Sequence, residues 1–191
     1  MCYAPLQVGE GAIMLKIILA SSMLLASAAY AAPEQLRPVV PEADGWIDIP
    51  GAALRPDPNT TYRMVFDTRK GGAKPGELVP AINLAASELN TFVAAKVPKA
   101  HYKIAMVFHG SGADDGLLDN AHYKAKYGVD NPNLKPLAEM RAAGVEIYVC
   151  GEQLIGDGID FKWLTPDVTV ANDGLLALTV FQNNGYAILT F

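Results

Sequence analysis

Residues 103–110 read KIAMVFHG. Ile104, Ala105, Met106, Val107 and Phe108 are apolar at consecutive positions, so both faces of this strand seek cover, as in a sheet layered between helices. Similar stretches flank it: TYRMVFDT (61–68) before, VEIYVCG (145–151) after, then DVTVAN (167–172) and YAILTF (186–191). Helical patterns separate them. Leu78, Ile82, Ala85, Ala86, Leu89, Phe92 and Val93 recur at steps of three and four, which predicts a helix of about twenty residues limited by Pro98. LKPLAEMRAAG (134–144) forms another. A last helix is bounded by Asp173, which can accept orphan amide hydrogens at its start, and by Gly185, suited to the left-handed residue past its end. Alternation from residue 61 onward predicts an α/β fold: a three-layer α/β/α domain with a mostly parallel five-stranded sheet and right-handed crossovers.

The long connection 111–133 is expected to carry function or a short helix of its own, for which LLDNAHYKAKYG is suited. Upstream, residues 32–60 hold six prolines and read as an extended arm. Val39, Val40, Trp46, Ile47 and Ile49 suggest that part of the arm packs against the domain or a neighbouring subunit. Residues 1–31 resemble a signal peptide, with a start possible at Met14. Lys16 supplies the positive charge, IILASSMLLA (17–26) the apolar run, and Ala29-Tyr30-Ala31 a small-x-small cleavage pattern. The run falls short of the ~20 residues that span a bilayer, so no membrane association is expected after cleavage. The expected location is periplasmic or secreted.

The 191 residues carry a formal charge of -5 with dispersed carriers, which argues against a nucleic-acid surface. Cleavage after Ala31 would remove Cys2 and leave Cys150 as the one cysteine, so no internal disulfide can form.

In an open parallel sheet, ligands gather beyond the carboxyl ends of the strands. Those ends supply Asp67, His109, Ser111, Cys150, Gly151, Glu152 and Gln153. Cys150 is the candidate nucleophile: it ends a strand, and a helix starting within EQLIG would favour its thiolate. His109 is a candidate partner if its strand neighbours that of Cys150 and the side chains share a side. Asp67, Ser111, Gly151, Glu152 and Gln153 are candidate substrate contacts. A free cysteine is equally at home as an inert packing residue, and that alternative stays open. HGSGADDG lacks the marks of a dinucleotide or phosphate loop, and Cys150, His109, Asp114 and Asp115 lack compact metal-ligand spacing. No cofactor or metal is expected.

VEIYVCGEQL, the Leu-Thr-Pro-Asp-Val segment, VANDGLLALTVFQNNGYAILTF and the upstream VFHGSG together resemble the DsrE/DsrF-like family over roughly residues 61–191. The resemblance implies a single α/β/α domain assembled as a trimer or hexamer. It also implies that Cys150 accepts sulfane sulfur as a persulfide and passes it to a partner protein. An export signal and proline-rich arm depart from the cytoplasmic sulfur-relay members. The alternative function is a noncatalytic oligomeric binding module with an inert or redox-sensing cysteine.

Overall fold

The computed structural model describes residues 33–191, apart from Ala73 and Ser111. The signal-peptide expectation and Ser111 therefore lie outside the described residues.

Five parallel strands, β1 (Tyr62–Thr68), β2 (Tyr102–Phe108), β3 (Glu146–Cys150), β4 (Thr169–Ala171) and β5 (Ala187–Thr190), form one sheet in the order β4-β3-β2-β1-β5. Around it lie α1 (Pro80–Ala94), α2 (Asn120–Tyr127), α3 (Leu134–Ala142), α4 (Gly151–Gly156) and α5 (Gly174–Asn183). The three-layer α/β/α reading holds, with the sheet wholly parallel. The order explains the layers. From β1 to β4 the chain steps in one direction across the sheet, and right-handed crossovers keep the intervening helices on one face. Passing from β4 to β5 reverses the direction, so among the described residues α5 alone covers the other face.

The two cores differ accordingly. Phe66, Ile104, Met106, Phe108, Ile147 and Val149 point into the larger one, against α1 and α3. Val65, Ala105 and Val107 point into the smaller one, closed by Leu178 and Phe181 of α5. Alternation along each strand enforces this division.

Element ends follow local chemistry. α1 starts at Pro80, whose missing amide hydrogen costs nothing in the first turn, so the helix has 15 residues and is shorter than its apolar periodicity suggested. Asp119 caps α2 by accepting from the His122 amide at 2.8 Å, and Gly128 ends it at φ 76°. The long connection thus contains a helix, preceded by a 3-10 turn at Asp114–Leu117.

Part of the proline-rich arm is packed on α1. The fully buried Asn90 accepts from the amides of Val39 and Val40 at 3.0 Å and donates to the carbonyls of Val40 (3.0 Å) and Asp44 (2.9 Å). Among the described residues no helix is long and apolar enough to cross a membrane.

Candidate functional site

Side chains alternate along a strand, so residues two apart share a face. Val65 and Val107 belong to the smaller core, under α5, and so the next residues on that face are Asp67 and His109. Tyr148 packs on the same core, which puts Cys150 on that face too. Register sets His109 level with Cys150, each one residue beyond the Phe108–Val149 pair, while Asp67 pairs with Val107, two residues before His109 on the same face. Three neighbouring strands thus set Asp67, His109 and Cys150 in a row.

Each member is held. His109 Nε2 stands 2.5 Å from Asp67 Oδ1, and the Thr190 hydroxyl donates to Asp67 Oδ2 at 3.0 Å. Arg69 Nε lies 3.7 Å from Asp67 Oδ1. Asp67 is only 5% exposed, and its hydrogen bond with His109 together with these donors offsets the cost of burying a carboxylate. Cys150 is 6% exposed and forms the N-cap of α4, its Sγ accepting from the Gln153 amide at 3.4 Å. The Gln153 side chain donates to Asp157 Oδ2 at 2.7 Å, tying together the two ends of α4.

The row is roofed by the first residue of α5. A methyl group on Gly174 would stand 2.9 Å from His109 Cβ and 3.3 Å from Cys150 Cβ, so only glycine lets the helix start this close. Asp173 caps that start, accepting from the amides of Leu175 (3.0 Å) and Leu176 (3.1 Å). Gly174 and Thr190 were not among the residues singled out from the sequence. An Asp-Gly pair opening a helix was the available sign for the first; nothing local marks the second.

Of the other candidates, Gly151 is buried where a methyl would meet the Ala171 carbonyl oxygen at 2.9 Å, so the chain packs closely on β4 there. Glu152 is exposed, with its amide on the Asn172 carbonyl. His122 stacks on Trp163 at 4.7 Å and bonds Asp119, while His101 bonds the Pro58 carbonyl. Tyr123 and Tyr127, residues that could have covered the Cys150 crevice, instead line a separate 320 Å³ cavity with Gly71 and Gly112.

Asp114 and Asp115 form a second polar cluster. Asp115 is bonded by Lys126 at 2.6 Å and by the Tyr127 hydroxyl. Asp114 is buried, its Oδ2 has no partner, and it shares a 270 Å³ cavity with Asp115, Lys126 and Asp157. Burial, with the neighbouring charges of Asp115 and Asp157, raises the Asp114 pKa to about 6. Among the described residues no three His, Cys, Asp or Glu side chains converge on a point suited to a metal ion. A cavity of 710 Å³ flanks α5 between Arg63, Lys103, Tyr148 and Val180 and does not include Cys150 or His109.

A parallel α/β/α domain with a capped cysteine at a strand end is the class this geometry defines. The chain belongs to the DsrE/DsrF-like family, whose model matches residues 64–191. Among solved structures it is similar to a protein of unknown function, MTH1491 from Methanobacterium thermoautotrophicum, at 19% identity and a TM-score of 0.50, covering 68% of this chain and 99% of that one. It is also similar to the ychN protein from E. coli, at 17% identity and a TM-score of 0.46, covering 69% and 100%. No curated protein matches the chain.

Proposed function

We propose that this protein accepts and passes on sulfane sulfur, with Cys150 as the acceptor. Family membership supplies the sulfur-relay context. The observation that carries the proposal is the placement of Cys150 level with His109, with a backbone amide on its sulfur. The Cys150 thiolate attacks the outer sulfur of a persulfide R–S–SH. The new S–S bond gives Cys150–S–SH, the S–S bond of the donor breaks, and its electron pair leaves with RS⁻. A partner thiolate then attacks the same outer sulfur and regenerates the Cys150 thiolate. Export after loss of residues 1–31, a donor or acceptor protein, and a homotrimeric or homohexameric assembly belong to this proposal. Leu175, Leu176 and Val180, exposed by 60%, 55% and 50% on α5, support the assembly by offering an uncovered apolar strip.

Incubation of the mature chain with polysulfide, followed by intact mass measurement, tests the chemistry. A gain of one sulfur that is absent in Cys150→Ser is expected; equal gain in the variant would overturn the proposal.

The burial of Cys150 favours a second reading, a noncatalytic oligomeric binding module with an inert thiol. Alkylation rates before and after unfolding separate the two. A native thiol that reacts as slowly as a deeply packed one supports the binding module.

A further inference from the structure

Strand order extends the row by one residue. Across β3, β2, β1 and β5 the carboxyl ends supply Cys150, His109, Asp67 and Thr190 in that spatial sequence, and Thr190 is the register partner of Asp67. The two inner contacts are short: 2.5 Å from His109 Nε2 to Asp67 Oδ1 and 3.0 Å from the Thr190 hydroxyl to Asp67 Oδ2. Both Asp67 oxygens are therefore engaged within the protein. A buried carboxylate so engaged dictates the state of the group it touches. Asp67 can only accept, so His109 must carry hydrogen on Nε2 whether the ring is neutral or charged. The nitrogen left to gain or lose a proton is Nδ1. Nδ1 is bonded to Cγ, and Cβ and Cγ of His109 lie beside Gly174, against which Cys150 Cβ also packs.

We infer that Asp67, steadied by Thr190, is a positioning residue that holds His109 in the Nε2–H form, so that Nδ1 exchanges protons at Cys150. The inference rests on the reading of Cys150 as the reactive sulfur and replaces a direct substrate contact for Asp67. Proton exchange runs in two directions. To arm the thiol, the S–H bond breaks, the electron pair stays on sulfur and the proton forms a bond to Nδ1. When the thiolate attacks R–S–SH, the departing RS⁻ takes that proton and leaves as RSH, returning His109 to its neutral form. Between these steps the imidazolium sits between the thiolate and the Asp67 carboxylate, opposite charges on either side. The sulfur's own hydrogen bond comes from Gln153, so His109 serves as the proton holder and the α4 amide as the charge stabiliser.

Two measurements decide the matter. The first is the rate of Cys150 alkylation by iodoacetamide against pH in the wild-type chain, Asp67→Asn, Thr190→Val and His109→Gln. Asp67→Asn should slow the reaction at pH 7 by about tenfold or more and displace the profile to higher pH. Thr190→Val should act in the same direction but more weakly, and neither change should add to His109→Gln. The second is the nitrogen NMR spectrum of the His109 ring, which should report the Nε2–H tautomer in the wild type. If Asp67→Asn fails to fold, Thr190→Val and the wild-type tautomer still give the answer. Superimposable profiles for wild type and Thr190→Val with an Nδ1–H ring would overturn the inference. Sulfur uptake with an Asp67-independent profile rejects the positioning role alone. An Asp67-dependent profile without sulfur uptake supports that role and rejects only the sulfur-transfer reading.

Discussion

Gly174 touches His109 so closely that a single methyl group on its Cα would stand 2.9 Å from the histidine Cβ. The start of α5 and the end of β2 are in effect one packing unit, and any side chain at 174 must push them apart. Gly174→Ala should therefore destabilise the fold by about 1–3 kcal/mol, the usual cost of overpacking, and alter the rate at which Cys150 is alkylated. Gly156→Ala is the control: nothing lies within 4 Å of its added methyl. Urea titrations of both variants, with thiol labelling alongside, check the contrast.

Asp114 gives the protein a pH-dependent weakness. Its pKa is raised from 3.8 to about 6, so the folded state holds the proton more tightly than the unfolded state. Stability from this group is full below pH ~4 and declines as pH rises through about 6, because ionisation then leaves a buried carboxylate facing Asp115 and Asp157, with Lys126 already paired to Asp115. Asp114→Asn should stabilise the chain by roughly 1–2 kcal/mol at pH 7.5 and make little difference at pH 4. Thermal melts at the two pH values provide the comparison; a larger gain at pH 4 would refute the assignment.

Asn90 ties the arm to α1 through two accepted and two donated hydrogen bonds. Leucine at this position keeps the branched outline but leaves three main-chain groups of the arm, the amides of Val39 and Val40 and the carbonyl of Asp44, without partners, since the Val40 carbonyl still accepts from the Ala43 amide. Asn90→Leu should cost about 2–4 kcal/mol and expose residues 33–45 to limited proteolysis while the strands stay protected. Cleavage confined to the arm in the variant, and absent in the wild type, is the expected pattern.

Leu176 points outward from α5 and is 55% exposed, so a charge there is tolerated by the monomer. Leu176→Asp should leave the thermal transition of the isolated subunit nearly unchanged while lowering the mass measured by light scattering from an oligomer to a single chain. An unaltered oligomeric mass would exclude this strip from the assembly.

The sheet was legible because consecutive apolar residues at 104–108 leave no solvent face, and α5 because Asp173 and Gly185 mark its ends as observed. The sharing of one face by His109 and Cys150 was also within reach. Counting back by twos from each gives Val107 and Tyr148, both turned toward α5 once the register is known. Three things depended on distant contacts. The place of β5 beside β1 follows from the reversal after β4, which no local signal announces, so Thr190 could not be matched with Asp67. β4 spans three residues, fewer than the extended-looking 167–172 suggested, as Asp167 is instead tied to Thr165, its carboxylate accepting from the Thr165 hydroxyl and its amide donating to the same oxygen. The 111–133 connection is organised by the buried Asn131 and Asn133, whose amides bond Gly116, Leu118 and Val79 across the loop, and polar residues in a loop give no hint of such burial.

The lone helix on the thin side of the sheet has a consequence for how the molecule can respond to its surroundings. Its outward strip is what a neighbour would grip, while its first residue rests on the sulfur-bearing row. A push of a few tenths of an ångström on the outside would thus be felt at the thiol directly, through one rigid rod ten residues long and without any intervening loop.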